Sequence, residues 1–114
     1  MQSEGEFQKE VIKFLSQHDD EVWFVKYWAG GRYTKEGIPD ILACINGDFH
    51  GIELKSDGKG YNETKLQALN LQHLNQTGGH GYVLRPTAKP GIKHPEFDYY
   101  CTTFKEWEER WFDD

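Results

Sequence analysis

Apolar residues recur at helical spacing near the start of the chain, and this pattern predicts a first helix. The apolar positions are Phe7, Val11, Phe14 and Leu15. They follow Ser3-x-x-Glu6, a capping box whose hydroxyl and carboxylate can satisfy the first free amides of a helix. The helix is expected to end near His18. A second helix is expected from Asn62, which can act as its N-cap, to about Thr77, where two glycines follow.

Between and after these helices, the pattern changes to runs of β-branched and aromatic residues, which are typical of strands. These runs are residues 22–28, 40–45, 49–55, 82–85 and 99–102. A second capping box, Thr103-x-x-Glu106, precedes a short last helix with an apolar stripe of Phe104, Trp107 and Trp111. The predicted order is α-β-β-β-α-β followed by β-α. We therefore expect one α/β domain over residues 1–114, with a mixed central sheet flanked by helices and a short C-terminal helix.

The second and third strands are expected to form a hairpin, because Asn46-Gly47 lies between two apolar runs. If these two residues form the turn, counting outward from it places Asp40 opposite Glu53. Lys55 then lies on the same face as Glu53, since side chains alternate along a strand. Like charges in opposed positions destabilise a sheet, so this pairing needs an explanation.

A divalent cation would explain the pairing, because two hard oxygen ligands can hold Mg²⁺ or Mn²⁺ and remove their mutual repulsion. A neighbouring lysine such as Lys55 can then orient or activate an attacking water. The alternative interpretation is a half-exposed hairpin with an ordinary Glu–Lys surface pair. The convergence of Asp40, Glu53 and Lys55, with Pro39 restraining the chain before Asp40, favours the metal site.

Two further polar residues have two interpretations each. Glu4 either extends the inward stripe of the first helix to its tip or complements the helix dipole as a first-turn acid. Gln67 shares a helix face with Leu71 and Leu74, so its amide either points inward and needs a partner there or bonds to nearby backbone.

Composition and charge change this picture in a few respects. The net charge is −6, yet residues 26–94 hold nine Lys or Arg against six Asp or Glu. That asymmetry is compatible with a polyanion at the middle of the chain, and ordinary surface charge explains it nearly as well. No apolar stretch is long enough to span a bilayer, and no signal-peptide pattern is present, so we expect a soluble, intracellular protein without a membrane partner.

The cysteines and histidines do not predict a site of their own. Cys44 and Cys101 lack Cys-x-x-Cys spacing, which favours buried thiols over a zinc site or a disulfide. The five histidines lack metal-ligand spacing and are interpreted as structural or surface residues.

Four segments of the chain together resemble the small stand-alone VRR-NUC nucleases of phages and bacteria, in the PD-(D/E)xK superfamily. The segments are SEGEFQKEVIKFL, VKYWAGGRYTKEGIPDIL, NGDFHGIELKS and LQALNLQHLNQTGGHGYVL, which span about residues 3–85. Pro39-Asp40 and Glu53-Leu54-Lys55 match the superfamily motif, and α-β-β-β-α-β is its typical order. The strand that names the family is matched in part, because Val83-Leu84-Arg85-Pro86 carries one arginine.

The resemblance implies a restriction-endonuclease-like core and a metal-dependent endonuclease that hydrolyses DNA phosphodiesters. Asp40, Glu53 and the Leu54 backbone carbonyl would bind Mg²⁺ or Mn²⁺, and Lys55 would be the catalytic lysine. Glu4 would be the helix acid and Gln67 the glutamine of the helix after the lysine strand. Similar stand-alone domains dimerise and act on branched DNA such as Holliday junctions, in the cytoplasm of a bacterial or phage-infected cell.

The sequence also offers candidate DNA-contacting residues and two alternative functions. Arg32, Lys35 and Lys59 are candidate phosphate contacts, which orient DNA without reading its sequence. One alternative is a non-catalytic nucleic-acid-binding module on the same fold, although the intact Asp40, Glu53 and Lys55 set argues against it. The other is a restriction-type endonuclease, for whose target-recognition domain the chain has little room.

Overall fold

The helices and strands of the computed structural model follow one another in the predicted order. The structure describes residues 2–27, 35–58, 60–89 and 93–112. The elements are α1 (Glu4–Gln17), β1 (Val22–Lys26), β2 (Ile41–Ile45), β3 (Asp48–Leu54), α2 (Lys65–Gln76), β4 (His80–Arg85), β5 (Tyr100–Thr103) and α3 (Phe104–Phe112). The α/β class and the eight-element order are therefore confirmed. None of the helices in the described ranges is long and apolar enough to cross a membrane.

The five strands form one mixed sheet in the order β1-β2-β3-β4-β5. β1, β2 and β3 pair antiparallel, whereas β4 pairs parallel with both β3 and β5. A parallel neighbour requires a crossover connection, and α2 provides the crossover from β3 to β4. α2 is thereby placed beside the strand that carries Glu53.

The hairpin between β2 and β3 has the predicted two-residue turn. Asn46 has φ 48° and Gly47 has φ 92°, the two positive values that a type I′ turn requires. The pairs run from Ile45↔Asp48 to Ile41↔Ile52, as counted from the turn. Asp40 precedes Ile41 and Glu53 follows Ile52, so the two acids lie one position beyond the last pair of the ladder.

Helices cover the two faces of the sheet unequally. α1 and α3 share one face, where their apolar residues pack on β2, β3 and β4; the ring centroids of Phe7 and Phe104 are 6.0 Å apart. Trp107 is fully buried there, and its indole N–H donates to the Tyr82 hydroxyl over 2.7 Å. α2 lies on the opposite face, where Leu71 packs with Val83. This leaves β1 and part of β2 uncovered on the α2 face, with Trp23 68% exposed.

The N-cap of α2 is the main correction to the predicted elements. Thr64, not Asn62, caps this helix: the Thr64 hydroxyl accepts from the Gln67 backbone N–H, and the Gln67 side chain accepts from the Thr64 N–H. The prediction of Asn62 is wrong because this reciprocal pair satisfies two amides at once. Asn62 instead accepts a bond from the Arg85 guanidinium.

Smaller differences concern one strand end and the thiols. β1 ends at Lys26, two residues earlier than predicted, and residue 28 lies outside the described residues. Both cysteines are free. The prediction of buried thiols is confirmed for Cys101, whereas Cys44 is only partly buried.

Candidate active site

Asp40 lies directly before β2 and is fixed by hydrogen bonds from the chain after β1 and from β3. Its carbonyl oxygen accepts from the Tyr27 N–H over 2.8 Å, which continues the pairing of β1 with β2. Its carboxylate Oδ2 accepts from the Leu54 N–H over 2.8 Å, across the hairpin. The preceding Pro39 is buried. The side chain of Asp40 is therefore fixed against β3, next to the carboxyl group of Glu53.

Glu53 lies beneath α2 and is 3% exposed. The Gln67 side-chain amide donates to its Oε2 over 3.3 Å, and the Lys55 ammonium lies 3.7 Å from the same oxygen. Lys55 is 15% exposed, so this pair is not the solvated surface ion pair of the alternative interpretation. The structure thus brings together Asp40, Glu53, Lys55 and Gln67.

The electrostatics of Glu53 follow from this enclosure. Burial, which is the largest cause, and the nearby negative charge of Asp40 together raise the pKa of Glu53 to about 8, against the opposing effect of the Lys55 ammonium. One ammonium cannot compensate two adjacent carboxylates, so the metal-free site retains a proton at neutral pH. A second positive charge is what the arrangement lacks.

Two glycines allow α2 to approach the sheet closely enough to cover Glu53. A Cβ on Gly81 would lie 2.6 Å from the Leu71 carbonyl oxygen, and a Cβ on Gly51 would lie 2.6 Å from the Leu74 side chain. Neither distance is tolerable for a larger residue without a shift. The close packing places Gln67, on the first turn of α2, within reach of β3.

Gln67 satisfies both interpretations of its sequence pattern. Its Oε1 accepts from the Thr64 N–H over 2.9 Å, and its Nε2 donates to Glu53. Because one end of the amide is tied to the helix terminus, the other end is oriented towards the carboxyl group. Gln67 therefore sets the position of Glu53 through a bond that the helix cap reinforces.

The Leu54 carbonyl points to the same corner of the sheet. The Lys55 N–H donates to the Leu84 carbonyl on β4 over 3.1 Å, and the described peptide bonds are all trans. In a trans peptide the carbonyl points opposite to the following N–H, so the Leu54 oxygen points away from β4, towards Asp40. Asp40, Glu53 and this carbonyl present three oxygen donors, the type that Mg²⁺ and Mn²⁺ prefer.

Among the residues that the structure describes, the acidic ligands at this corner are Asp40 and Glu53. Within the described ranges, no three His, Cys, Asp or Glu side chains are grouped so as to hold a metal ion. Mg²⁺ commonly binds through one or two carboxylates and completes its shell with water and substrate phosphate. The residues present therefore fit a hydrated ion that shares its ligands with a substrate.

The remaining predicted residues are not part of this group. Glu4 is exposed at the start of α1, and its charge contributes to the raised pKa of Glu53 from a distance. Lys35 is exposed, and its backbone N–H and carbonyl both bond to the Tyr27 hydroxyl. Arg32 and Lys59 lie outside the described residues.

Two buried polar residues had no predicted role in the sequence. His50 was interpreted only as structural or surface; it is fully buried, its ring Nδ1 lies 2.8 Å from the Tyr82 hydroxyl, and burial lowers its pKa to about 3. Arg85 is 1% exposed and bonds to the loop that follows Lys55. The sequence signal for Arg85 was a charged residue at the end of a buried strand, in the partly matched segment Val83-Leu84-Arg85-Pro86.

Comparison with known proteins adds no relative: no protein-family model, no curated protein and no solved structure matches the chain. The VRR-NUC resemblance therefore stays a prediction from the sequence motifs.

Proposed function

We propose that the protein is a metal-dependent DNA endonuclease of the VRR-NUC type, selective for branched DNA such as Holliday junctions. The observation that carries the proposal is the convergence of Asp40, Glu53 and Lys55 in one largely buried corner of the sheet. A structural hairpin has no use for two carboxylates and an ammonium in an enclosed space, because each buried charge lowers stability.

In this proposal, Asp40, Glu53 and the Leu54 carbonyl hold Mg²⁺ or Mn²⁺. Such an ion would supply a Lewis acid that polarises the scissile phosphate and lowers the pKa of an attacking water. Lys55 positions that water and stabilises the negative charge that develops on the phosphate oxygens. Gln67 and the Leu54 N–H keep the two carboxyl groups in place, and Lys35 with Arg32 and Lys59 contacts the DNA backbone.

The fold and an exposed surface support two further parts of the proposal. The α-β-β-β-α-β order and the mixed sheet are what a restriction-endonuclease-like core requires. Trp23, Val25 and Phe49 are 68%, 40% and 48% exposed, and exposed apolar groups of this kind favour association. A homodimer would place two sites on the two equivalent strands of a junction. The cytoplasm of a bacterial or phage-infected cell is where such a substrate occurs.

Cleavage assays with purified protein test the proposal. Duplex, flap and four-way junction DNA are incubated with Mg²⁺, with Mn²⁺ and with EDTA. We expect metal-dependent cleavage of the branched substrates, and a loss of at least about 100-fold in the rate for Lys55→Ala. Lys65→Ala is the matched control, because Lys65 is exposed on the first turn of α2.

Each outcome separates the proposal from its alternatives. Cleavage by Lys55→Ala at the wild-type rate would refute the role of this lysine. Tight binding of junction DNA without cleavage in either metal would favour the non-catalytic binding module. Cleavage restricted to one duplex sequence would favour the restriction-type enzyme.

A further inference from the structure

Arg85 is a buried cation at the carboxyl end of β4. Its side chain is 1% exposed. The guanidinium donates from Nη1 to the Gly58 carbonyl over 3.0 Å, and from Nη2 to the Gly60 carbonyl over 2.9 Å and to the Asn62 side chain over 3.5 Å. All three acceptors lie in the connection from β3 to α2, whose described residues 56–58 and 60–62 we call the β3–α2 loop.

Within the described part of the chain the guanidinium makes no ion pair, and the Asp57 carboxylate interacts with its charge only from farther away. Burying a charge is unfavourable unless hydrogen bonds and opposite charge compensate it. Here the compensation comes from two carbonyl dipoles of the β3–α2 loop and from the more distant Asp57 carboxylate of the same loop, so the loop and the guanidinium stabilise each other. A planar guanidinium suits this role because its two Nη groups can hold two carbonyls at a defined separation.

A second contact ties the same loop to the chain after β4. The Asp57 carboxylate accepts from the Thr87 N–H over 3.0 Å and from the Ala88 N–H over 2.9 Å. The loop is therefore held at its beginning by Asp57 and along its middle by Arg85. Gly60 adopts φ 70°, so the backbone of the loop is shaped around the guanidinium at a residue that tolerates this conformation.

The two ends of the loop carry the proposed active-site groups. Lys55 lies one residue before the loop, and its N–H bonds to Leu84, the neighbour of Arg85. Gln67, which bonds to Glu53, lies on the first turn of α2. A displacement of the loop would therefore change the position of Lys55 relative to Gln67.

We propose that Arg85 is a positioning residue, which fixes the β3–α2 loop and thereby the spacing of Lys55 and Gln67 around Glu53. The proposal rests on the nuclease function proposed above. Arg85 touches neither substrate nor metal ion in it, so it acts on the chemical step through the geometry of the site.

The test compares Arg85→Lys and Arg85→Gln with wild type. Lysine keeps the charge but not the planar fork, and glutamine keeps one amide donor group without the charge. We expect backbone amides of residues 56–62 to exchange with solvent about tenfold faster or more in both variants, because the loop opens more often. We expect kcat on the preferred DNA to fall about 10- to 100-fold through misplacement of reacting groups. KM should stay within about threefold, because DNA binding is retained.

Arg110→Lys is the matched control, because Arg110 lies on α3 with its guanidinium over the ring of Trp111, outside this loop. It should change neither kcat nor the exchange of residues 56–62. If the Arg85 variants do not fold, Asp57→Ala releases the same loop from a more exposed position and should lower kcat in the same way.

Two results would overturn the positioning role. One is loop exchange at the wild-type rate in folded Arg85 variants. The other is faster loop exchange with kcat unchanged, in an Arg85 variant or in Asp57→Ala. A wild-type protein that cleaves none of the substrates would instead refute the nuclease function and with it the catalytic part of this proposal. Hydrogen exchange would then still show whether Arg85 holds the loop.

Discussion

Replacing Glu53 by glutamine should stabilise the metal-free protein at neutral and alkaline pH. The side chain is 3% exposed and its pKa lies at about 8, above the ordinary value of 4.5. A pKa that folding raises means that the folded state binds the proton more tightly than the unfolded state. The stability from this proton is fully present below about pH 4.5 and is lost as pH rises towards about 8. Glutamine has the same shape and no proton to lose.

The size of the effect follows from the difference in pKa. A pH of 7 is about 2.5 units above the pKa of the unfolded carboxyl group, whereas the folded group is still mostly protonated. By pH 7 the wild-type protein has therefore lost roughly 3 kcal/mol of stability relative to acidic pH. The opposition of two like charges on a sheet would alone contribute only about 0.5 kcal/mol. The larger figure reflects burial beneath α2. It is a substantial fraction of a typical stability of about 5–15 kcal/mol.

Chemical denaturation in EDTA at pH values from 5 to 9 measures this effect. Wild type should lose stability relative to Glu53→Gln as pH rises, with most of the divergence complete by about pH 8. Glu108→Gln is the matched control, because Glu108 is exposed on α3 and its replacement should leave the pH dependence unchanged.

The same samples with Mn²⁺ test the cation site. A ligand that binds only the folded state adds stability that grows with the logarithm of its concentration relative to its Kd, so Mn²⁺ should stabilise wild type much more than Glu53→Gln. Parallel pH curves for the two proteins, together with equal stabilisation by Mn²⁺, would refute both the buried high-pKa carboxyl group and its role as a metal ligand. The hairpin would then be an ordinary structural one.

Two more expectations concern packing and assembly. Gly81→Ala should destabilise the fold by about 1–3 kcal/mol, because its Cβ would collide with the backbone of α2. A Cβ on Gly5 would have nothing within 4 Å, so Gly5→Ala should stabilise α1 by up to about 1 kcal/mol. Equal denaturation midpoints for the two variants would contradict the close packing. Sedimentation at micromolar protein, with and without junction DNA, should show a homodimer, and a monomer under both conditions would count against two sites acting on one junction.

The hairpin could be predicted from the sequence because its determinants are local. Asn46-Gly47 specifies the turn, and alternation along each strand then determines which side chains oppose one another. The two acids of the candidate site follow from the same counting. The helix caps at Ser3 and at Thr103 were equally local and are present.

The cap of α2 marks the limit of such local reasoning. Asn62 and Thr64 are both good N-cap residues, and they lie two positions apart. Only Thr64 has a glutamine three residues later, so the signal that decides between them was present in the sequence. The apolar pattern around Gln67 indicates only its inward face, whereas the residue is also the capping partner of Thr64.

The enclosure of the site could not be predicted, because it depends on distant parts of the chain. Burial of Glu53 requires α2 to pack on β3 and β4 across two glycines, and the sequence does not reveal that approach. Arg85 is a similar case, since its burial depends on a loop more than twenty residues earlier wrapping around it. Pattern and alternation predict which face a residue occupies, but not what the rest of the chain places over that face.

The charges of the candidate site suggest why it is enclosed. Asp40 and Glu53 contribute two negative charges when both are ionised, and Lys55 contributes one positive charge. The group is neutral only if it holds one proton, and it becomes positive if it binds a divalent cation instead. A proton and a cation therefore compete for the same carboxylates, so that cation affinity should rise with pH up to the pKa of Glu53. The cation-bound group, with Lys55 included, carries a net positive charge and would attract a phosphate, whereas the neutral protonated group would not. Burial makes the exchange of a proton for a cation matter, because in water the same charges would be screened. The difference between the two forms in their attraction for a phosphate would then be small.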